Sequence, residues 1–130
     1  MSRVGGVVTL CLCAALAACA PVRSTGRIDV LSLDRHLDNA HADADICDGF
    51  TLTRANVADY FALADTVDPE TFHADAMIMP CSYRGTLRRA GRLYRWEIFA
   101  GGAAYLFDGA ATNERYLCRE RCLQALPNLR

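Results

Sequence analysis

The sequence contains no lysine, and all 14 of its basic residues are arginine. It also has almost no net charge, because the 15 acidic residues leave a formal value of -1. This balance argues against a dedicated nucleic-acid-binding protein, which carries a basic surface. A chain of 130 residues has room for a single domain.

The chain also lacks a hydrophobic run long enough to cross a membrane. Val4 to Ala18 provides fifteen residues without a charge, whereas a transmembrane helix needs about 20 apolar residues. With Arg3 as a positive start, this stretch has the length and flanks of a secretory signal peptide.

The end of that stretch, Leu16-Ala17-Ala18-Cys19, resembles the lipobox of bacterial lipoprotein signal peptides. In that family the peptide is cleaved before the cysteine, which carries the lipid. The resemblance implies removal of residues 1–18, a lipidated tether at 19–27 and membrane attachment through Cys19. Ala20 replaces the aspartate of many inner-membrane lipoproteins, which implies the outer membrane, facing the periplasm. The alternative is an ordinary signal peptide followed by a chance cysteine.

The cysteines divide into groups once processing is considered. Cys11 and Cys13 leave with the signal peptide, and four cysteines remain beyond Cys19: Cys47, Cys81, Cys118 and Cys122. An even number in an exported domain predicts two disulfides, with three possible pairings. We favour Cys47–Cys81 with Cys118–Cys122, because the second pair is close in sequence and the first would tie a helix to the sheet.

No motif for a metal or a cofactor is recognisable. Three residues separate Cys118 from Cys122, where a redox motif has two. The three histidines, His36, His41 and His73, lack zinc-ligand spacing. The aspartates of residues 41–48 resemble a calcium loop, but Cys47 and Arg54 stand at ligand positions. We therefore expect neither a metal nor a cofactor.

Residues 28–130 are predicted to form one periplasmic α+β domain. Val30, Leu33 and Leu37 have helical spacing, which predicts a short helix near Ser32–Ala40. A longer helix follows Thr53, a suitable N-cap. Its predicted buried stripe contains Val57, Tyr60, Phe61 and Ala64. The helix is expected to end before Asp68-Pro69, where a short second helix begins.

From Met77 onward the hydrophobic period changes to two. Tyr83 and Leu87 share one side of a strand, and Tyr94, Trp96 and Ile98 share one side of the next. Turns are expected at Ala90-Gly91, Gly101-Gly102 and Asp108-Gly109. The N-terminal helices should therefore pack on an antiparallel meander of three or four strands, braced by disulfides.

Charge is distributed unevenly along the domain. Residues 28–75 carry eleven acidic residues against two arginines, whereas the meander has an arginine set: Arg84, Arg88, Arg89, Arg92 and Arg95. Strand alternation places Arg84, Arg88 and Arg95 opposite the Trp96 side. These arginines are candidates for binding an acidic partner, because guanidinium groups make bidentate contacts. We favour the alternative that they pair with the acidic half of the chain or solvate a hairpin.

Catalytic signals are sparse. A nucleophile–base set could be drawn from His73, Asp75, Cys81 and Ser82. No glycine pattern of a nucleophile elbow surrounds Ser82. We therefore predict no catalytic residues, and a small enzyme using His73 is the third hypothesis for function.

From Phe50 onward, about 75 residues resemble a family of small proteobacterial envelope proteins. The matching segments are FTLTRANVADYF, PCSYRGTL, RLYRWEIFAGG and YLCRERC. Met77-Ile78-Met79-Pro80-Cys81 stands where such proteins carry aromatic-Ser-Pro-Cys. The resemblance supports the fold and the disulfides and implies no activity.

The leading hypothesis for function is a non-enzymatic lipoprotein that acts as a binding or accessory module. It is expected to bind a protein partner of the envelope and not to bind nucleic acid. The second is an inhibitor or immunity protein that blocks a cell-wall-degrading or toxic enzyme through its Arg88–Arg92 turn.

Overall fold

A computed structural model of the chain describes residues 26–38 and 44–130. The predicted signal peptide, Cys19, most of the tether and His41 lie outside the described residues. The strands are β1 (Ile28–Val30), β2 (Asp34–Leu37), β3 (Asp65–Val67), β4 (Cys81–Arg89), β5 (Arg92–Phe99), β6 (Ala103–Asp108) and β7 (Ala111–Leu117). The α-helices are α1 (Arg54–Leu63), α2 (Pro69–Asp75) and α3 (Glu120–Ala125), with 3-10 helices at Ala44–Cys47 and Pro127–Leu129.

The strands form one antiparallel sheet in the order β1-β4-β5-β6-β7-β3, and β2 also pairs with β4. The α+β class is confirmed, but the described sheet has seven strands where three or four were predicted. The additional strands β1, β2 and β3 have only three or four residues. Segments of this length are too short for a two-residue hydrophobic period to stand out.

The predicted helix near Ser32–Ala40 is wrong, because Asp34–Leu37 is the strand β2. β1 and β2 pair successively along β4, with Val30 opposite Leu87 and Asp34 opposite Arg84. The three residues 31–33 therefore lie opposite the two residues 85–86, which is the arrangement of a β-bulge. The extra residue shifts the alternation, so that Val30, Leu33 and Leu37 all pack against the core. This shift produces the spacing that imitates a helix.

The bulge explains the glycine in the middle of β4. A Cβ atom built on Gly85 would lie 2.0 Å from the carbonyl oxygen of Ser32 and 2.9 Å from the Trp96 ring. Ser32 also accepts a hydrogen bond from the backbone N–H of Thr86 through its hydroxyl, at 2.9 Å. Only glycine allows the bulge to approach the sheet this closely.

The core lies on the inner face of the sheet, against α1. Tyr83, Trp96 and Ile98 are buried there, as the two-residue period predicts. Helix α1 begins after Thr53, whose hydroxyl accepts a hydrogen bond from the backbone N–H of Asn56 while the Asn56 side chain bonds back to the cap. This capping box confirms the predicted start of the helix.

Helix α2 lies against the other, outer face. It begins at Pro69 after the N-cap Asp68, as predicted. Phe72 packs with Ala103 and Leu117 in a small second cluster. Phe99, whose side chain points away from the Trp96 side, is partly covered by this cluster. Helix α2 thus covers the part of the outer face that contains Ala103 and Leu117.

Two disulfides brace the described domain. Cys47–Cys81 joins the first 3-10 helix to the start of β4, and Cys118–Cys122 joins the residue after β7 to α3. This is the pairing favoured from the sequence. The first bond closes a segment of 34 residues, and cross-links of this kind stabilise a fold by restricting its unfolded state.

Candidate functional site

The outer face of β4, β5 and β6 is open where α2 does not cover it. We call this surface the arginine face. Its exposed and half-exposed side chains are Arg84, Thr86, Arg88, Leu93, Arg95 and Phe107. Alternation along the strands places these side chains opposite the buried core positions. The face therefore combines cationic groups with apolar surface on a rigid sheet.

Arg95 is held on this face by two contacts. Its guanidinium carbon lies 5.1 Å from the centroid of the Phe107 ring. Its Nη2 atom donates a hydrogen bond to the carbonyl oxygen of Gly109 at 3.0 Å. A cation over an aromatic face is attracted by the ring quadrupole. Arg95 is consequently both exposed and oriented, which lowers the entropic cost of binding an acceptor.

Arg84 lies beside a second polar group. Its Nε atom is 2.9 Å from Oε1 of Glu97, and the same carboxylate oxygen accepts a hydrogen bond from the Ser82 hydroxyl at 2.9 Å. Only 13% of the Glu97 side chain is exposed, against 50% of the Arg84 side chain. The pair thus leaves much of Arg84 accessible, and Glu97 fixes its position.

His36 faces this group from the neighbouring strand, because β2 pairs it with Ser82. His36, Ser82, Arg84, Glu97 and Phe99 line a cleft of about 250 Å³ at the edge of the arginine face. The cleft is formed by the β2–β4 pairing. Sequence reasoning missed it, because the segment containing His36 resembled a helix.

Arg89 belongs to the opposite face. Its Nη1 atom lies 3.0 Å from Oε2 of Glu114 and 3.1 Å from the Tyr116 hydroxyl, and its guanidinium carbon is 5.1 Å from the Tyr94 ring centroid. Arg89 is therefore a structural residue of the half-buried inner face and is not part of the candidate binding surface.

The partners of Arg89 have perturbed acidities. Burial raises the pKa of Glu114, but hydrogen bonds from Arg89 and Tyr116 outweigh this effect and lower the pKa below its ordinary value. Burial and the neighbouring Glu114 raise the pKa of Tyr116 to about 12. The group thus contains a charged carboxylate beside a neutral phenol at physiological pH.

Arg92 also lies on the inner side, where it pairs with Asp108 and stacks near the Tyr94 ring. Three of the five predicted arginines, Arg84, Arg89 and Arg92, thus have ion-pair partners, but all three partners lie outside the acidic segment 28–75. That segment supplies Asp65 and Asp75, which pair with Arg119. The expected pairing between the acidic half and this arginine set is wrong for these three residues.

The four residues considered for catalysis do not form one group. Cys81 is in a disulfide, and Asp75 pairs with Arg119. Ser82 is only 1% exposed and donates to Glu97. His73 lies instead at a cleft of about 350 Å³ beside α2, with Phe72, Tyr105 and Arg115. A catalytic site that uses His73 would therefore need partners other than Asp75, Cys81 and Ser82.

In residues 26–38 and 44–130, no group of three or more His, Cys, Asp or Glu side chains is placed to hold a metal ion. None of the helices in this described part of the chain is long and apolar enough to span a membrane. The chain matches no known family, no curated protein and no solved structure. The resemblances to lipoproteins and to small envelope proteins therefore stay predictions.

Proposed function

We propose that this chain is a lipid-anchored, non-enzymatic binding module of the cell envelope, attached through Cys19 and facing the periplasm from the outer membrane. It binds an acidic protein partner through the arginine face. The observation that carries this proposal is the exposed Arg95, held over Phe107 beside Arg84 on an open sheet surface.

The chemistry of the face suits a carboxylate-rich partner. Guanidinium groups bind carboxylates in a planar, bidentate geometry. Phe107 adds apolar area beside these charges, and arginine and aromatic residues are enriched among the residues that dominate binding energy. Because the face is part of a sheet, its backbone needs little rearrangement on binding.

The anchor is tested by processing and fractionation of the full-length chain. An inhibitor of lipoprotein signal peptidase should make the uncleaved precursor accumulate. Replacement Cys19→Ser should block lipidation, so that the protein no longer fractionates with the outer membrane. If Cys19→Ser changes neither processing nor fractionation, the proposed anchor is wrong.

Partner binding is tested by crosslinking in the native envelope, followed by pull-down. Arg95→Glu reverses the charge of an exposed residue and should reduce the yield of the crosslinked partner strongly. Arg121→Glu makes the same change on α3, away from the arginine face, and should leave the yield unchanged. Equal yields from both variants would remove the arginine face from the function. Arg89 is unsuitable for this test, because it is part of the half-buried inner group.

An inhibitor or immunity protein is the second candidate function. It is favoured by the turn between β4 and β5, in which Ala90 and Gly91 both have positive φ values of 50° and 77°. This combination is typical of the rigid two-residue type I′ turn. A rigid, exposed turn with Arg88 at its side could enter an enzyme active site, and pull-down of a hydrolase dependent on this turn would favour that function.

A further inference from the structure

The described chain enters the domain beside the turn between β4 and β5. A Cβ atom built on Gly26 would lie 2.9 Å from the Cβ of Ala90. The pairing of Ile28 with Arg89 continues this approach along β1. We call this part of the domain the turn end; it contains Gly26, Arg27, the Ala90-Gly91 turn and the neighbouring turn at Gly109.

A lipid on Cys19 would keep the turn end near the membrane. Gly26 is only seven positions after Cys19 in the sequence. A fully extended chain of that length reaches at most about 25 Å, at roughly 3.3–3.6 Å per residue. This tether limits the distance of Gly26 from the bilayer, while the orientation of the domain depends on its charges.

Those charges are polarised along the strands. At the turn end, five arginines accompany three carboxylates: Arg27, Arg88, Arg89, Arg92 and Arg95 with Asp29, Asp108 and Glu114. Around the two disulfides at the opposite end, six carboxylates outnumber four arginines: Asp38, Asp45, Asp48, Asp65, Asp75 and Glu120 with Arg35, Arg119, Arg121 and Arg130. An anionic surface therefore attracts one end of the domain and repels the other.

Two side chains at the turn end suit a lipid surface in particular. Arg88 is exposed and has no ion-pair partner among the described residues. Leu93, its cross-strand neighbour, is 56% exposed. A guanidinium group binds headgroup phosphate bidentately, while a leucine can enter the boundary between headgroups and acyl chains.

We propose that the turn end lies on the membrane surface, with Arg88 bound to anionic lipid headgroups and Leu93 inserted between them. This inference rests on the proposed lipid anchor at Cys19. The arginine face then stands roughly upright on the membrane, with Arg84 further from the bilayer than Arg88. A turn engaged with lipid cannot also block an active site, so this orientation excludes the inhibitor function for the anchored protein.

A tryptophan introduced at the turn end reports this orientation. Native Trp96 is 1% exposed, so it is poorly accessible to a quencher. The lipidated chain carrying Leu93→Trp is reconstituted into vesicles containing brominated phosphatidylglycerol, and its emission is measured. The matched control is Gln124→Trp, an exposed position on α3 near the Cys118–Cys122 disulfide.

We expect Leu93→Trp to shift its emission to shorter wavelength and to lose intensity in these vesicles, while Gln124→Trp keeps the emission it has in detergent. Adding Arg88→Glu to Leu93→Trp should restore the lost emission. Vesicles of brominated phosphatidylcholine alone should quench less, because they lack the anionic headgroup.

Equal quenching at both positions, or no quenching of Leu93→Trp, would overturn the orientation if the protein still floats with the vesicles. Such a result would leave the lipid anchor standing. Failure of the chain to float with any vesicle would overturn the anchor and the orientation together. Capture of an acidic protein through Arg88, without quenching at position 93, would assign the turn end to a protein partner and contradict the lipid contact.

Discussion

Arg89, Glu114 and Tyr116 form a compact polar group at the margin of the core. Each member has two partners within the group, since Tyr116 donates to Glu114 and accepts from Arg89. Polar groups at such a position need complete hydrogen bonding, because an unsatisfied donor or acceptor costs about 1–3 kcal/mol. Arg89 lies two residues after the buried Leu87, so both side chains are on the inner side of β4. The hydrogen bonds of this group explain how an arginine is accommodated at that position.

The raised pKa of Tyr116 links this group to stability at high pH. The folded value is about 12, whereas the ordinary value is 10.0. The unfolded chain therefore loses this proton first as the pH rises above about 10, which favours unfolding. The stabilising contribution is complete below about pH 10 and disappears as the pH rises through about 12.

We expect Tyr116→Phe to reduce this alkaline loss of stability. At neutral pH the variant loses both hydrogen bonds of the hydroxyl, each of which contributes about 1 kcal/mol. Between pH 10 and 12 the wild-type free energy of unfolding should fall more steeply than that of the variant, because only the wild type has this proton to lose. Denaturant titrations at several pH values measure both slopes, and parallel slopes would contradict the assignment.

At the scale of the element, α1 shows local sequence and tertiary contacts acting together. Thr53 and Asn56 satisfy free N–H groups at its start, and Val57, Tyr60 and Phe61 bury one side. The Tyr60 hydroxyl donates to the carbonyl oxygen of Gly102 at 2.7 Å, which connects the helix to the turn between β5 and β6. A short helix of this kind depends mainly on packing, with its cap as a smaller contribution.

We expect Thr53→Ala to destabilise the domain by about 1 kcal/mol, because removing the hydroxyl leaves the backbone N–H of Asn56 without its acceptor. For a domain of this size that corresponds to a fall of roughly 4–8 °C in Tm. Thr51→Ala is the matched control, since Thr51 is exposed and lies outside the capping box. Thermal unfolding of both variants should show the loss only at position 53; similar Tm values would show that the cap contributes little.

Elements with strong local signals could be predicted, and those without could not. Thr53 and the stripe after it identified α1, and Asp68-Pro69 identified the start of α2. The segment of β2 has the spacing of a helix because a bulge alters its alternation. The five arginines were recognised as a set, and their parity already separates Arg89 from Arg95. The cleft at His36 depends on a pairing between distant segments, which has no local signal.

On the scale of the whole molecule, one sheet separates two kinds of chemistry. Its inner face carries the core, which α1 and the Cys47–Cys81 bond hold in place. Its outer face is divided between the apolar cluster under α2 and the open arginine face. The polarity along the strands adds a second axis, from the basic turn end to the acidic disulfide end. In our proposals, the turn end contacts the membrane and the arginine face binds a partner.

The α+β class, the caps of α1 and α2 and the buried alternation of β4 and β5 follow from the amino-acid sequence alone, which also favours the observed cysteine pairing. These features depend on neighbouring residues or on a regular period. Long-range contacts are needed to show that the acidic half contributes edge strands and that Arg84, Arg89 and Arg92 pair with carboxylates of the sheet. They also show that the described chain enters beside the turn at Ala90. Those outcomes depend on which distant segments fit together, because pairing and packing energies arise only when the strands are in register.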